Sequence, residues 1–348
     1  MKSTRGITCG VFVIVVILLA VVVPVYAYNR PLGPSLVLQS PPSEITTINL
    51  TNTNQASAQS QPQQAKITAT PDASAAGASN TGICNGKGVV NLLLLGESLP
   101  SSSPRGADAI RLVVVDYNQP AVRILAMPPV MYVNTSLLKD IEATTLTQAY
   151  NYGKQLPATG EPAAVRNATR VVAQALLDDF GYRTKKYLTL KEDVFVNMVN
   201  TLGGVDVVIP ETVDGTPEGY GVYEAGTERM SGQRALDYIR MLQPAGHAPD
   251  ENARIARQNQ VIYGLQVEIL KPENWLKIPK LITDFFHFLY TDLAPKQLLS
   301  LNCMIETVGE NVTVLEVTPE MYTLGADGVM YPDETAMRQL IDTLQNGP

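Results

Sequence analysis

Hydrophobic and polar positions divide this chain into three stretches. Ile7 to Ala27 is apolar almost throughout, broken lightly by Thr8, Cys9, Gly10 and Pro24. A helix of that length crosses the hydrocarbon of a bilayer. Lys2 and Arg5 precede it, so residues 1–6 are expected in the cytoplasm and everything after Tyr28 outside. Val25-Tyr26-Ala27 also resembles a signal-peptide cleavage site. The apolar run is long for a signal peptide, which favours a retained, single-pass membrane anchor over 7–27. Residues 28–82 turn to Ser, Thr, Gln, Asn, Ala and Pro, with almost no aromatic content. That composition predicts a disordered linker that holds a folded domain off the membrane surface.

Periodic patterns fill the third stretch, 83–348. Val89–Leu95 is a continuous apolar run, as in a central strand buried on both faces. Arg111–Asp116 and Ala121–Met127 read as two strands joined by a hairpin turn, stopped by Pro128-Pro129. Helices are predicted over Leu146–Tyr152, Pro162–Asp179, Glu192–Leu202 and Ser231–Met241, with strands at Tyr187–Leu190 and Val205–Ile209. Further on come helices at Leu276–Tyr290 and Pro295–Leu301, a strand at Asn311–Val317, and a terminal helix over Pro332–Leu344 with Asp333 as its cap. Strands alternating with helices, plus one hairpin, give an α/β sandwich: a mixed central sheet flanked by helices.

The densest chemistry lies between Tyr238 and Leu265. One helix ends, a loop follows, and a second helix starts at an Asp250 N-cap just after Pro249. Arg254, Arg257 and Gln258 share a face with Val261 and Leu265, because positions three and four apart line up along a helix. The arginines therefore extend the apolar stripe. Arginine is seldom fully buried without an anionic partner. A helix start also offers free N–H groups and a positive dipole end. With Arg240 on the preceding helix, these residues outline a site for a phosphate or carboxylate. Equally, the arginines could pair with Asp237, Asp250 or Glu251 and only fix the loop.

Charge and cysteine usage narrow the classes. The net charge of -7 over 348 residues speaks against a nucleic-acid partner, which would call for a basic face. Two histidines, His247 and His287, and three cysteines cannot build a zinc-type cluster. An external domain permits disulfides. Cys9 lies in the apolar run, so Cys84 and Cys303 are predicted to bridge the start of the domain to its C-terminal part. Two separate thiols are the alternative, since sequence does not give the Cα separation.

The order of motifs resembles the LytR-CpsA-Psr family over roughly 89–270. The landmarks are NLLLLG at Asn91–Gly96, DAIRLVVVD from Asp108, and TQAYNYG at Thr147–Gly153. The most specific are NMVNTLGGVDVVIP at Asn197–Pro210, SGQRALDYIR at Ser231–Arg240 and RIARQNQV at Arg254–Val261. The resemblance implies a membrane-bound, extracytoplasmic transferase. It would move a glycopolymer, with one phosphate, from a polyprenyl-pyrophosphate carrier to peptidoglycan or another envelope acceptor. It further implies that Arg240, Arg254 and Arg257 grip the pyrophosphate together with Gln258, and that Asp108 holds Mg2+. Pyrophosphate suits bidentate guanidinium contacts, and a divalent ion offsets charge developing on the leaving group.

The chain also departs from the family pattern. Pro128-Pro129-Val130 stands where the family reads Pro-Arg-Asp, and Ser98 stands at a position often occupied by aspartate. Gly106, Thr145 and Leu242 replace an expected arginine, lysine and arginine. Arg111 and Arg123, on strands, could compensate if they face the site. The departures imply an alternative: a degenerate homologue that binds lipid-linked glycan or envelope polymer without turnover.

Overall fold

The computed structural model describes residues 28–39, 86–98, 106–135, 137–138, 144–274, 289–308 and 312–347. Its centre is a six-stranded mixed sheet. The strands are β1 (Val89–Glu97), β2 (Ala107–Asp116), β3 (Ala121–Met127), β6 (Lys186–Lys191), β11 (Tyr290–Thr291) and β12 (Val312–Leu315), in the order β11-β6-β1-β2-β3-β12. β1, β2 and β3 run antiparallel, while β1–β6 and β3–β12 are parallel pairs. The continuous apolar run of β1 thus sits mid-sheet, where both of its faces are covered.

The pairing register sorts side chains into two faces. Leu93, Leu95, Ile110, Leu112, Val114, Leu125 and Met127 point to one. They pack under α1 (Leu146–Gln155), α2 (Glu161–Phe180) and α7 (Glu334–Asn346). Leu92, Val113, Val115 and Val122 point to the other, where Met304 and Val308 of α6 (Pro295–Val308) meet them. Arg111 pairs with Leu94 and belongs to this second face. Arg123 pairs with Val114 and belongs to the first. There its Nε donates to the Leu344 carbonyl at 2.7 Å and its Nη2 to that of Gln345 at 3.0 Å, capping the C-terminal end of α7. Arg123 therefore does not supply the site, contrary to the option left open by the sequence.

A separate apolar core joins α3 (Glu192–Leu202), α4 (Gly232–Arg240) and α5 (Glu251–Leu270) to the two-stranded sheet of β7 (Val205–Ile209) and β10 (Gly226–Met230). β7 was expected in the mixed sheet. It pairs instead with β10 alone, and Val205, Val207 and Ile209 face α5 residues Val261 and Leu265 in this second core. Gly264 permits the approach: a Cβ there would lie 2.3 Å from the Asp206 carbonyl oxygen and 2.9 Å from Val205 Cγ2. Gly264→Ala is expected to cost about 2 kcal/mol by forcing α5 off β7, read as a lower urea midpoint.

The far end of α5 is pinned by charge. Glu268 is buried and accepts from Arg229 Nη1 (2.6 Å), Arg229 Nη2 (3.0 Å), Lys271 Nζ (2.6 Å) and Asn274 Nδ2 (3.1 Å). The Arg229 bonds, more than the others, pull its carboxyl down to about 2. A depressed carboxylate stabilises above its unfolded pKa and loses that contribution as pH falls through the folded value. Glu268→Gln is expected to cost about 3 kcal/mol at pH 7. In urea titrations the gap to wild type should close between roughly pH 4.5 and 2; parallel curves across that window would contradict the pairing.

Other expectations meet different outcomes. α1, α2 and α6 run longer than predicted, α7 keeps its predicted length but is shifted two residues on, and Asp333 caps α7 as expected, accepting from the Ala336 N–H at 2.9 Å. Tyr290 belongs to edge strand β11 rather than to a helix, and residue 289 is not helical either; residues 276–288 of the predicted helix lie outside the described residues. So do residues 1–27 and 40–85, including Cys84. Among the described residues no helix is long and apolar enough to cross a membrane. Cys303 is disulfide-bonded, with its partner outside the described residues. Residues 28–39, expected at the start of the linker, lie on the domain, with Leu36 and Leu38 against the main core.

Candidate functional site

The site grows from the start of α5. Asp250 caps it, accepting from the N–H groups of Asn252 (2.9 Å) and Ala253 (3.1 Å), as the sequence predicts. The next turns carry Arg254, Arg257 and Gln258 inward, and all three are buried, Arg254 to 2% exposure. From the sheet, Arg111 comes to meet them. Its Nη2 donates to Gln258 Oε1 at 2.9 Å and to Asn259 Oδ1 at 3.1 Å. Gln258 Nε2 donates in turn to the Asp108 carbonyl at 3.3 Å. The site therefore spans the seam between the sheet and the second core.

Its charges are unevenly matched. Arg254 Nε donates to Glu251 Oε2 at 2.8 Å. Nη2 lies 2.7 Å from the same oxygen but lacks hydrogen-bond geometry, so its N–H groups have no acceptor. Arg240 faces Glu192 instead, through Nε at 2.8 Å and through Nη2. Arg257 Nη2 donates to the Met241 carbonyl. Among the described residues no carboxylate pairs with Arg111 or Arg257, and the buried Nε of each lacks an acceptor. Burial pulls the Arg111 guanidinium down to about 10, and Arg254 pushes the same way. Burial also lowers Arg257. Water solvates a cation far better than amide oxygens do, so buried guanidinium groups without counter-charge favour an incoming anion.

Asp108 owes its place to a β-bulge. Gly96 and Glu97 face Ala109 and Ala107, leaving Asp108 as the extra residue on β2. Its Oδ1 is buried without a partner. Burial raises the carboxyl to about 7, Arg254 opposes, and Glu192 and Glu251 reinforce the rise. Ser98, where the family often has aspartate, hydrogen-bonds this carboxyl. Among the described residues no three His, Cys, Asp or Glu side chains come together as a metal cage. Among the described residues, the Asp108 carboxylate with its free Oδ1 is the candidate for a cation that takes its other ligands from a substrate and water. A reluctantly dehydrating ion such as Mg2+ tolerates that arrangement, because it is commonly held by one or two carboxylates, water and phosphate oxygens.

The predicted set thus divides. Arg111, Arg254, Arg257, Gln258 and Asp108 come together, while Arg240 is turned to Glu192. Glu192 and Asn259 were missed: the first lies 48 residues from its arginine, and the second carries no pattern of its own. His247 is exposed in its loop, and Tyr150 is buried in the main core.

Comparison with known proteins follows the same outline. The chain is 24% identical over 264 residues to the polyisoprenyl-teichoic acid–peptidoglycan teichoic acid transferase TagV of Bacillus subtilis (strain 168). That match takes in 73% of this chain and 63% of TagV, so the chain spans under two-thirds of that relative. The crystal structure of B. subtilis TagV aligns with a TM-score of 0.59 at 21% identity, covering 75% of this chain and 98% of that one. A structure of TagT bound to LIIa-WTA aligns at 0.56 and 19%, covering 77% and 93%. The LytR-Csp2A-Psr enzyme from Actinomyces oris aligns at 0.55 and 20%, covering 76% and 92%. Such identities speak for a shared fold. The model of the LytR_cpsA_psr family matches residues 45–346, nearly all of the folded part, and the chain belongs to that family.

Proposed function

We propose that this protein is a membrane-anchored, extracytoplasmic transferase that moves a glycopolymer from a polyprenyl-pyrophosphate carrier to peptidoglycan or another envelope acceptor. One observation carries the reading: Arg111 and Arg257 are buried beside Arg254 with no carboxylate among the described residues to pair them. A pyrophosphate supplies that missing charge with oxygens on both phosphorus atoms. An acceptor hydroxyl oxygen would bond to the phosphorus bearing the glycan as its proton passes to solvent. The P–O–P bridge would break, and polyprenyl phosphate would leave. Arg111, Arg254 and Arg257 would hold the phosphates and offset charge growing on the bridge oxygen; Gln258 fixes Arg111 toward them. A Mg2+ at Asp108 would add a second counter-charge to the leaving phosphate.

A second reading is binding without turnover. It is favoured by two arginines that already face carboxylates, Arg240 with Glu192 and Arg254 with Glu251, and by the uncharged Pro128-Pro129-Val130 segment. The test uses the full-length protein in nanodiscs with a lipid-linked glycan, Mg2+ and a glycan acceptor. Loss of the lipid-linked glycan matched by phosphodiester-linked product supports transfer. A stable complex without product across several acceptors supports the second reading. No complex would remove both.

A further inference from the structure

Residues Tyr28–Gln39 lie on the domain through contacts of several kinds. The Leu32 N–H donates to the Leu293 carbonyl at 3.1 Å. Gly33 passes so close to β11 that a Cβ there would lie 2.8 Å from the Thr291 carbonyl oxygen. Tyr187 of β6 donates its hydroxyl to the Pro34 carbonyl at 3.3 Å. Leu36 and Leu38 pack against the main core. At the far end, Gln174 of α2 grips the backbone of residue 39 from both sides. Its Oε1 accepts from Gln39 N at 2.8 Å and its Nε2 donates to Gln39 O at 3.0 Å. Gln174 is 1% exposed, and without this segment its amide would keep only the bond from Nε2 to Asp178 Oδ1 at 2.7 Å. The family match begins only at residue 45, after the segment ends.

We infer that Tyr28–Gln39 is a strap that fixes the domain against the bilayer in one orientation, with the edge strand β11 and Leu293 toward the membrane. This rests on reading 7–27 as a retained anchor. The first hold, Leu32 on Leu293, comes five residues after that apolar run, so residues 40–85 follow the strap in the chain rather than separating it from the membrane. Leu293 shares its apolar cluster with Leu92, Val113 and Val115, on the sheet face that also carries Arg111. The chain thus enters from the bilayer on the face that bears the arginines. A lipid-borne phosphate reaching that face need not be lifted past the sheet.

Two insertions separate the strap from a free tether. The same 20-residue Gly-Ser segment, about 25 Å in r.m.s. reach, is placed either between Ala27 and Tyr28 or between Gln39 and Ser40 of the full-length protein. Energy transfer is then measured in nanodiscs between labelled lipid headgroups and a dye at the C-terminus. Insertion after Ala27 is expected to cut the transfer efficiency by at least half, and insertion after Gln39 to leave it unchanged. Equal losses from both would overturn the strap. Hydrogen exchange gives a second reading: the amides of Leu32 and Gln39 should exchange at least 100-fold more slowly than in a peptide of residues 28–39, and equal rates would refute docking. Failure of the anchor itself is separately visible, since an intact mass beginning at Tyr28 would show cleavage and remove the orientation. None of these readouts depends on pyrophosphate binding.

Discussion

Arg254→Ala is expected to weaken binding of a short-chain polyprenyl pyrophosphate at least 100-fold, with a large loss of stability beside it. Arg254 is the most buried of the site's cations, and its Nη2 has N–H groups to offer a ligand. Removing it also strands Glu251, a buried carboxylate whose Oε2 it holds at 2.8 Å. Breaking one side of a buried pair typically costs about 3–5 kcal/mol. The two losses must be separated. The double variant Arg254→Met with Glu251→Gln removes both members of the pair, so neither strands the other and most of the thermal stability should return. Binding, followed by titration calorimetry, should not return with it. Recovery of wild-type affinity in the double variant would mean that Arg254 only fixes the loop, the plainer of the two readings the sequence allows.

Asp108→Asn should produce a stability difference that depends on pH. Burial raises the Asp108 carboxyl from about 4 to about 7, so the folded state holds its proton where the unfolded chain has released it. A carboxyl with a raised pKa favours folding below its unfolded value, and its contribution turns unfavourable as pH climbs to the folded one. Wild-type stability should therefore decline between roughly pH 4 and 7, by at most about 4 kcal/mol from this group. The asparagine variant lacks that decline and should be the more stable of the two at pH 8. At pH 3.5, below the unfolded value, the two should nearly match. Asp179, also raised to about 7 by burial, contributes a similar slope in both proteins and cancels in the difference. A difference that stays flat with pH would place the Asp108 carboxyl in water rather than behind Arg254. At pH 8, Mg2+ with a pyrophosphate should bring wild type back above the variant if the carboxylate meets a cation there.

Much of this was readable from residue spacing, because the relevant contacts are local. The inward face of Arg254, Arg257, Gln258, Val261 and Leu265 follows from helical periodicity alone. So does the Asp250 cap, which satisfies N–H groups only two and three residues away. The central position of β1 follows from its unbroken apolar run. What spacing could not supply was partnership across the chain. A strand such as Val205–Ile209 reads the same whether it joins a six-stranded sheet or pairs with β10 alone. The side of the sheet taken by Arg111 or Arg123 depends on which helices cover each face, and nothing in a strand's own sequence records that. Asp108 lies ahead of the strand predicted at Arg111–Asp116; only the register between β1 and β2 reveals it as the residue pushed out of the ladder. The strap was hidden by composition. Ser, Pro and Leu in irregular order look like linker, yet Gln174 and Tyr187, far along the chain, hold their backbone.

The seam between the two apolar cores bears on how the molecule breathes. Each core closes its own set of side chains, and what crosses between them at the site is polar: Arg111 to Gln258 and Asn259, and Gln258 to the Asp108 carbonyl. Rupturing such a seam exposes little apolar surface, so it costs far less than melting either core. The α3–α5 unit is therefore expected to part from the sheet at a lower free-energy cost than global unfolding, seen as earlier amide exchange in α5 than in β1. A bound anion bridging Arg111 to Arg254 would act as mortar in that joint. Amide exchange along the first turns of α5 would then slow in proportion to ligand occupancy, reporting the ligand through mechanics alone.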